Sequence, residues 1–329
     1  MGKMKMNSWQ WQKKGEPENL VLKESNIPEL GKDEILIQNT FIGLNPVDWK
    51  LIENGHPDWE INHIPGVDGT GIVIKVGDNM EHLQLGSRVC YHTDLSKAGS
   101  FSTHTIVKGN SIMTIPNNLN DAAAAAFPCP SLTAIQAFQK IPSLLNKIVL
   151  VSGAGGSVGY FLTQLLLESG AKVYVTAGKL HHQEFLKMGV LKALDYKDKD
   201  WKKEMKKSLQ GNLFDVVFDM VSGAHAAGLL DLISYYGHMV AIQDRIKENL
   251  LSPFTTCVSL HEIALGAFHK YASQQQIAHL MQNGEKLLCK IRTGILKQRE
   301  FKITTFDSLP QHLAEMKKNN LSTKYLVKI

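Results

Sequence analysis

The apolar and polar positions in the middle of the chain follow a strand, turn, helix, strand pattern. A short apolar, β-branched run at residues 148–151 is typical of a buried parallel strand. Glycines follow it, and a helical spacing of apolar residues then predicts a helix over 158–169, with Gly170 as its C-cap. A second apolar run at 173–176 predicts the next strand. This order predicts half of a dinucleotide-binding fold.

The glycine turn between this strand and helix has a spacing suited to a phosphate group. Gly153, Gly156 and Gly159 are three residues apart, a variant of the G-x-G-x-x-G pattern. A pyrophosphate must approach the backbone closely at a helix N-terminus, where free N–H groups and the helix dipole favour negative charge. A Cβ in the turn blocks that approach. Glycine loops also make ordinary turns, but a position between a strand and a helix predicts a nucleotide site.

Helical and strand patterns alternate from about residue 120 to about residue 260, as in a doubly wound parallel sheet. An alanine-rich helix begins this region, with Asp121 placed as its N-cap. Further helices are expected at 184–187, 201–209 and 224–234, and further strands at 193–196, 214–219 and 238–242.

The sequence before residue 118 favours a β-rich unit. Short strands separated by glycine turns are expected, and no long helical pattern interrupts them before Asp121. These strands are placed at 35–37, 71–76, 88–92 and 101–107. The C-terminal part changes character again, with helices at 274–295 and 309–318 and strands at 301–305 and 325–327.

The economical arrangement returns the C-terminal strands to the first domain. We therefore predict an α/β fold in which a doubly wound parallel Rossmann sheet is inserted into a discontinuous β-rich domain. The β-rich domain takes residues 1–118 and 265–329, and the dinucleotide-binding domain takes residues 119–264.

The residues after the second strand of the nucleotide motif distinguish between two cofactors. NAD-binding folds usually carry an Asp or Glu near the end of this strand to hold the ribose 2′-OH. No acidic residue occurs between residues 171 and 183, and Lys179 follows the strand instead. A cation without an acid suits a 2′-phosphate, which predicts NADPH. The alternative is that Lys179 is an ordinary solvated lysine and that the cofactor is NADH.

Composition excludes several functional classes. The chain has 329 residues and a net charge of +5, and its basic residues are scattered apart from a lysine-rich helical stretch at 201–209. That stretch predicts a solvated helix face rather than a nucleic-acid site. The four cysteines are widely separated and form no C-x-x-C pair, which is typical of a reducing compartment. No apolar run approaches membrane-spanning length, so we expect a soluble, cytoplasmic protein that binds no nucleic acid and no membrane.

Several short motifs, taken in order along nearly the whole chain, resemble the medium-chain dehydrogenase/reductases, in their zinc-less quinone-oxidoreductase-like branch. Together they are specific in order and spacing, although none is so alone. Besides the glycine turn, the matching stretches are Gly43–Asp48, Ile64–Gly71, Val76–Gly77, Leu85–Val89, Cys129–Ala134, Asp195–Tyr196 and Asp215–Asp219. The resemblance implies that the discontinuous β-rich domain is GroES-like.

Part of this family consists of zinc alcohol dehydrogenases, and the resemblance allows that possibility to be tested. A catalytic zinc needs three fixed protein ligands. The zinc-dependent relatives carry a Cys where this chain has Asn45 and a His where it has Val67, which leaves Cys129 as the one matching ligand. No closely spaced set of four cysteines supplies a structural zinc lobe either. We therefore expect no metal site.

The resemblance also implies roles for individual residues. Asn45 corresponds to an asparagine near the nicotinamide, whose amide is expected to bond a ribose or a substrate carbonyl, and Asp48 is expected to fix the same loop. Lys50 is expected to polarise a carbonyl or touch the cofactor, unless it is simply an exposed lysine, and Thr133 is expected to contact the nicotinamide. The remaining cofactor-binding positions are Ser157 and Val158 for the pyrophosphate, Lys179 and Tyr196 for the 2′-phosphate, and Ala241, Ile242 and Gln243 for the nicotinamide pocket.

Two positions depart from the pattern of the branch. A Ser often precedes the lysine and a basic residue sometimes follows it, whereas this chain has Gly178 and Leu180. His181 is the candidate to compensate for these losses.

Without a Lewis acid, oxidation of an alcohol is difficult because nothing lowers the alcohol's pKa. Hydride transfer from NADPH to a quinone or to an α,β-unsaturated carbonyl needs mainly positioning and exclusion of water. We therefore expect a metal-free, NADPH-dependent reductase of such small molecules, and a homodimer by analogy with the relatives. The alternatives are a zinc alcohol dehydrogenase and a non-catalytic protein that binds NADPH as a structural or sensing element.

Overall fold

The computed structural model describes residues 4–247, 251–319 and 323–329. The chain forms two compact units, one made of Met1–Leu132 with Gly266–Ile329 and the other of Thr133–Leu265. The first unit extends to Leu132, beyond the predicted boundary at residue 118, because two further helices begin within it. In the described part of the chain, no helix combines the length and the apolar character needed to cross a membrane.

The first unit begins with a hairpin and then builds an antiparallel sheet. The hairpin pairs Lys5 with Asn26 and Gln10 with Val21 at its two ends. The elements of this part are β1 Lys5–Gln10, β2 Val21–Asn26, β3 Glu34–Gly43, α1 Pro46–Asn54, β4 Asp68–Val76, β5 Arg88–His92, β6 His104–Lys108, β7 Ile112–Thr114 and α2 Asp121–Ala125. Helix α3, Pro128–Gln139, contains the junction between the two units.

The second unit is the predicted doubly wound sheet. Its elements are β8 Ile148–Ser152, α4 Ser157–Glu168, β9 Lys172–Thr176, α5 His182–Met188, β10 Lys192–Leu194, α6 Trp201–Ser208, β11 Phe214–Asp219, α7 Ala224–Ala227, β12 Ile233–Ala241 and β13 Ser259–Glu262. Within the described residues the sheet has six strands, all parallel, in the order β10-β9-β8-β11-β12-β13. Numbered along the chain, this is the 3-2-1-4-5-6 order of a dinucleotide-binding fold.

The C-terminal segment returns to the first unit, as predicted. Its elements are α8 Phe268–Tyr271, α9 Gln274–Arg292, β14 Phe301–Thr305, α10 Leu309–Asn319 and β15 Lys324–Lys328. Strand β15 pairs antiparallel with β3 and parallel with β14. The described strands of the first unit's main sheet follow the order β14-β15-β3-β4-β5-β7, with β6 also on β3.

Each unit has its own apolar core. In the first unit, Ile42, Phe101 and Leu313 are buried in one cluster with the apolar faces of α1 and α10. In the second, Leu150 and Val217 on the central strands pack with α6 and α7. The central strands β8 and β11 are buried almost along their whole length, as expected for parallel strands covered on both faces.

Three local predictions were wrong. Asp121 is the first residue of α2 rather than its N-cap, because Asn120 accepts the Ala123 N–H (2.6 Å) while the Asp121 carboxylate binds Arg88. The helix expected over 224–234 ends at Ala227, since Ile233 already pairs with β11 in strand β12. The region before Asp121 also contains the nine-residue helix α1, where no long helical pattern was expected.

Candidate functional site

The turn between β8 and α4 requires two of its glycines for the fold itself. Gly153 has φ +77°, a left-handed conformation that side chains other than glycine rarely adopt. A Cβ on Gly159 would lie 2.6 Å from the Cα of Ala154, so this glycine allows α4 to pack against the turn. These two residues therefore bring the N-terminus of α4 close to the carboxyl end of β8.

Gly156 differs from the other two glycines. Its φ of −76° is ordinary, it is the N-cap of α4, and a Cβ placed on it would meet no protein atom within 4 Å. Ser157 and Val158 open the helix next to it and are half-buried. No steric need of the fold explains a glycine at 156, whereas an anion that approaches the N–H groups of the first helical turn would explain it.

The residues expected to bind a 2′-phosphate follow the carboxyl ends of two neighbouring strands. Strand β9 pairs in parallel with β10, with Thr176 opposite Leu194, and the Ala177 N–H continues the ladder to the Leu194 carbonyl (3.0 Å). Lys179 and Tyr196 come shortly after these ends, and both are exposed. The topology therefore places them along one edge of the parallel sheet, next to the glycine turn.

The carboxyl ends of β11 and β12 are joined by a turn that sequence reasoning did not find. The Asp219 carboxylate is fully buried and accepts the Ser222 N–H (2.6 Å), and it also contacts His225 Nδ1 (3.0 Å). The Ser222 hydroxyl in turn accepts the N–H groups of Ile242 and Gln243, both at 2.9 Å. Ser222 has φ +66°, which no sequence pattern announces. Of the three expected nicotinamide-pocket residues, Ala241 and Ile242 are buried and Gln243 is exposed.

A buried polar cluster lies in the first unit, built around Asn45 and Asp68. The Asn45 amide donates to the Gly43 carbonyl (3.1 Å) and to Asp68 Oδ2 (2.9 Å), and its oxygen accepts a short hydrogen bond from Lys324 Nζ. Asp68 also accepts the Cys129 N–H (2.9 Å) and lies 3.4 Å from Lys324 Nζ. Lys324 is 5% exposed and Asp68 is 0% exposed. The amide expected to bind a ribose or a substrate is thus held by three groups of the protein.

Asp48 lies at the start of α1 and hydrogen-bonds to the backbone there. Its carboxylate accepts the N–H groups of Asn45 (2.7 Å) and Val67 (3.1 Å). Burial raises the pKa of Asp48 to about 8 and that of Asp68 to about 6, against hydrogen bonds and the nearby Lys324, which lower both pKa values. Lys324 therefore contacts the Asp68 carboxyl group directly and acts on Asp48 only through its charge.

Lys50 and Thr133 were also expected at the site, and both lie on helices. Lys50 is half-buried on α1, with its Nζ 5.6 Å from the centre of the Trp49 ring, and burial lowers its pKa. A lysine with a lowered pKa gives up its proton more readily than an exposed lysine. Thr133 is 8% exposed and is the first residue of the second unit, on α3.

The structure gathers Asn45 and Asp48 into one cluster and adds Asp68 and Lys324, which were not predicted as site residues. Asp68 lies in one of the matching stretches, so a signal for it existed. Lys324 lies near the end of the chain, and no local pattern indicates that a strand-starting lysine is buried against residues about 280 positions earlier.

The donor groups in this cluster do not fit a catalytic zinc. Asn45 and Val67 offer no thiolate or imidazole, and the Lys324 ammonium already provides a buried positive charge next to Asp68. Among residues 4–247, 251–319 and 323–329, no three His, Cys, Asp or Glu side chains are grouped to hold a metal ion.

Comparison with known proteins matches both units to families of one superfamily. Residues 31–117 match the alcohol dehydrogenase GroES-like domain, and residues 157–284 match the family described as zinc-binding dehydrogenase. Together these matches cover more than half of the chain.

Individual relatives agree with the family matches. A quinone oxidoreductase of Sus scrofa is 28% identical over 278 residues, which cover 82% of this chain and 84% of that protein. A 2-methylene-furan-3-one reductase of Solanum lycopersicum is 33% identical over 238 residues, covering 68% of this chain and 58% of that protein. The solved structure of a quinone oxidoreductase of Pseudomonas syringae pv. Tomato DC3000 shares the fold, with a TM-score of 0.88 at 20% identity over 98% of this chain and 100% of the other. The chain therefore belongs to the medium-chain dehydrogenase/reductase superfamily, in its quinone-oxidoreductase-like branch, and is an oxidoreductase of the quinone- and enoyl-reductase type.

Proposed function

We propose that this protein is an NADPH-dependent, metal-free reductase that transfers hydride to a quinone or to the β-carbon of an α,β-unsaturated carbonyl compound. The observation that carries the proposal is the edge of the parallel sheet. An unobstructed Gly156 at a helix N-terminus follows one strand end there, Lys179 and Tyr196 follow the next two, and no acidic residue occurs from 171 to 183. This combination favours a dinucleotide with a 2′-phosphate over NADH.

The chemistry of the first unit supports an acceptor that needs no Lewis acid. NADPH, when bound, supplies the hydride. The buried cluster around Asn45 positions the start of α1 through hydrogen bonds of Asp48 and Lys324, and α1 carries Lys50 one turn further on. Lys50 is the group proposed to polarise the acceptor carbonyl, since its lowered pKa lets it donate a proton more readily than an exposed lysine.

Equilibrium binding tests the cofactor half of this proposal. Purified protein is titrated with NADPH and with NADH while nicotinamide fluorescence is followed. We expect tighter binding of NADPH, and acceptor-dependent oxidation of bound NADPH on addition of a quinone or an enone. Binding of neither nucleotide would contradict the proposal, whereas binding without any turnover would indicate a non-catalytic NADPH-binding protein.

We also propose that the protein is a homodimer paired through β13, which is the last strand of the parallel sheet in the described residues. Its second side has no strand partner among those residues, and Leu260 on it is 43% exposed. An edge strand of this kind offers backbone N–H and C=O groups to a second copy. Light scattering of the purified protein is expected to give twice the chain mass, and a monomer mass would contradict this pairing.

A further inference from the structure

His181 lies directly against the glycine turn of the second unit. An ideal Cβ built on Gly155 would be 3.0 Å from Cδ2 and 3.5 Å from Nε2 of His181. The same point is 3.9 Å from the Cβ of Ala177, at the end of β9. The imidazole therefore occupies the angle between the β8–α4 turn and the carboxyl end of β9, where the ribose nearest to the adenine lies in folds of this strand order.

The neighbouring histidine faces a different group and provides a matched control. His182 Nε2 donates to the Ala177 carbonyl at 2.9 Å, which ties this ring to the strand end. His181 and His182 are both half-buried and adjacent in sequence, so they share backbone and exposure but face different groups.

We propose that His181, when protonated, is a second cationic ligand of the 2′-phosphate beside Lys179, and that it makes the preference for NADPH depend on pH. This inference rests on the function proposed above, because it concerns the phosphate that distinguishes NADPH from NADH. An imidazolium donates a charge-assisted hydrogen bond to a phosphate oxygen, whereas neutral imidazole offers at most an uncharged one.

The groups around the ring set the direction of the effect. Gly155 and Ala177, which lie beside the ring, carry no charge themselves. The ionisable groups on the surrounding elements are Lys179 on its own short 3-10 helix, His182 and Glu184 on α5, and Tyr196 after β10. Glu184 accepts a hydrogen bond from the Tyr160 hydroxyl at 2.7 Å. Any carboxylate near the ring would favour the protonated imidazole, and any nearby ammonium group would oppose it.

The sign of the pH dependence follows from linkage. An imidazole has an ordinary pKa of about 6.5, and a bound phosphate raises it. Affinity for the 2′-phosphate is therefore full below the pKa of the free protein and falls as the pH rises through the pKa of the complex. A phosphate monoester itself takes up a proton near pH 6, so the comparison is made from about pH 6.5 to about pH 8.5.

The test compares 2′,5′-ADP with 5′-AMP, which differ by the 2′-phosphate alone, in calorimetric titrations of the full-length protein. The measured ratio is the dissociation constant of 5′-AMP divided by that of 2′,5′-ADP. As the pH rises across this range, this ratio is expected to fall about threefold to tenfold in the wild type and in His182→Ala. In His181→Ala the ratio is low and flat at every pH. In His181→Lys it is high and flat, since a lysine stays protonated throughout.

The outcomes separate this inference from the proposed function. A wild-type ratio that is high but does not change with pH, or a His181→Ala variant that loses 5′-AMP and 2′,5′-ADP binding equally, overturns the role of His181 and leaves NADPH dependence standing. No preference for 2′,5′-ADP in the wild type at any pH overturns both. Retained 5′-AMP binding in His181→Ala shows that the variant's site is folded.

Discussion

At the residue scale, Gly156 and Gly159 lie in the same turn, but a side chain added at each position would meet different surroundings. A Cβ at 159 would collide with the Ala154 backbone, whereas a Cβ at 156 would meet no protein atom within 4 Å. Packing therefore explains the second glycine of this pair, and the proposed cofactor phosphate would explain the first. The sequence predicts both as one motif, because spacing alone does not separate a steric need of the fold from that of a ligand.

Alanine at position 156 is expected to affect mainly cofactor binding, and alanine at position 159 mainly stability. Gly156→Ala weakens NADPH binding about tenfold, because its methyl group obstructs one phosphate-binding N–H, and costs about 1 kcal/mol of stability through poorer capping. Gly159→Ala lowers the free energy of unfolding by about 1–3 kcal/mol through overpacking. Fluorescence titration and denaturant unfolding of both variants measure the two effects. Unchanged NADPH affinity in a folded Gly156→Ala protein would exclude the role given to this turn.

Lys324 is a residue whose importance appears only in three dimensions. Lys324→Met leaves Asp68 buried with one partner fewer, which is expected to cost about 3–5 kcal/mol of unfolding free energy. Lys328→Met, at the exposed end of the same strand, is the matched control and is expected to change it by less than about 0.5 kcal/mol. Chemical denaturation measures both. Equal, small effects would mean that the Asn45–Asp68–Lys324 cluster is not important for stability.

At the element scale, α1 shows what local sequence contained and what was missed. Asn45 as N-cap, Pro46 at the first helical position and Asp48 at N3 are recognised signals of a helix start. The helix is only nine residues long, so its apolar periodicity is short, and the strand patterns around it dominated the prediction.

Strands β8, β9 and β11 were predicted closely, because buried parallel strands are continuous apolar runs. Helix α7 was overextended, because pairing of Ile233 with β11 overrides helical propensity.

The buried carboxyl groups that hold α1 predict a pH dependence of stability. The pKa of Asp48 is about 8 in the folded protein and 3.8 ordinarily, so the folded state binds its proton more tightly than the unfolded state. The stabilising contribution is therefore complete below about pH 4 and is lost as the pH rises towards 8. Asp48→Asn removes this contribution, and its melting temperature is expected to fall less between pH 4 and pH 8 than that of the wild type. The exposed Asp58→Asn is the control, and identical slopes in all three proteins would contradict the pKa assigned to Asp48.

The ends of β9 and β10 carry the proposed cofactor preference. Lys179→Ala is expected to weaken NADPH binding about threefold to tenfold and to leave NADH binding unchanged, because only NADPH has the 2′-phosphate. Lys187→Ala, an exposed lysine on α5, is the control for the loss of one positive charge. Fluorescence titration with both nucleotides measures the ratio. Equal losses for NADPH and NADH would show that Lys179 acts through general charge rather than through that phosphate.

At the scale of the whole molecule, the fold was predictable from the sequence and the site only in part. Glycine spacing and alternation fix the parallel sheet, and the return of β14 and β15 to the first unit was inferred from what the nucleotide sheet left over. The role of Lys324 was not predicted, because a contact between residues about 280 positions apart leaves no local pattern. The turn from Asp219 to Ser222 was not predicted either, because a positive φ at a serine leaves none. The motifs that resemble the family marked Asn45 and Asp48, but their hydrogen bonds required the structure.

The most direct test of the account is turnover with a panel of quinones and α,β-unsaturated carbonyl compounds, followed as NADPH oxidation by protein pretreated with a strong metal chelator. We expect acceptor-dependent oxidation of NADPH that exceeds that of NADH and is unaffected by the chelator. Turnover that is lost on chelation and restored by zinc would contradict the metal-free mechanism, and a folded, NADPH-binding protein inactive with every acceptor would contradict the assignment as a reductase.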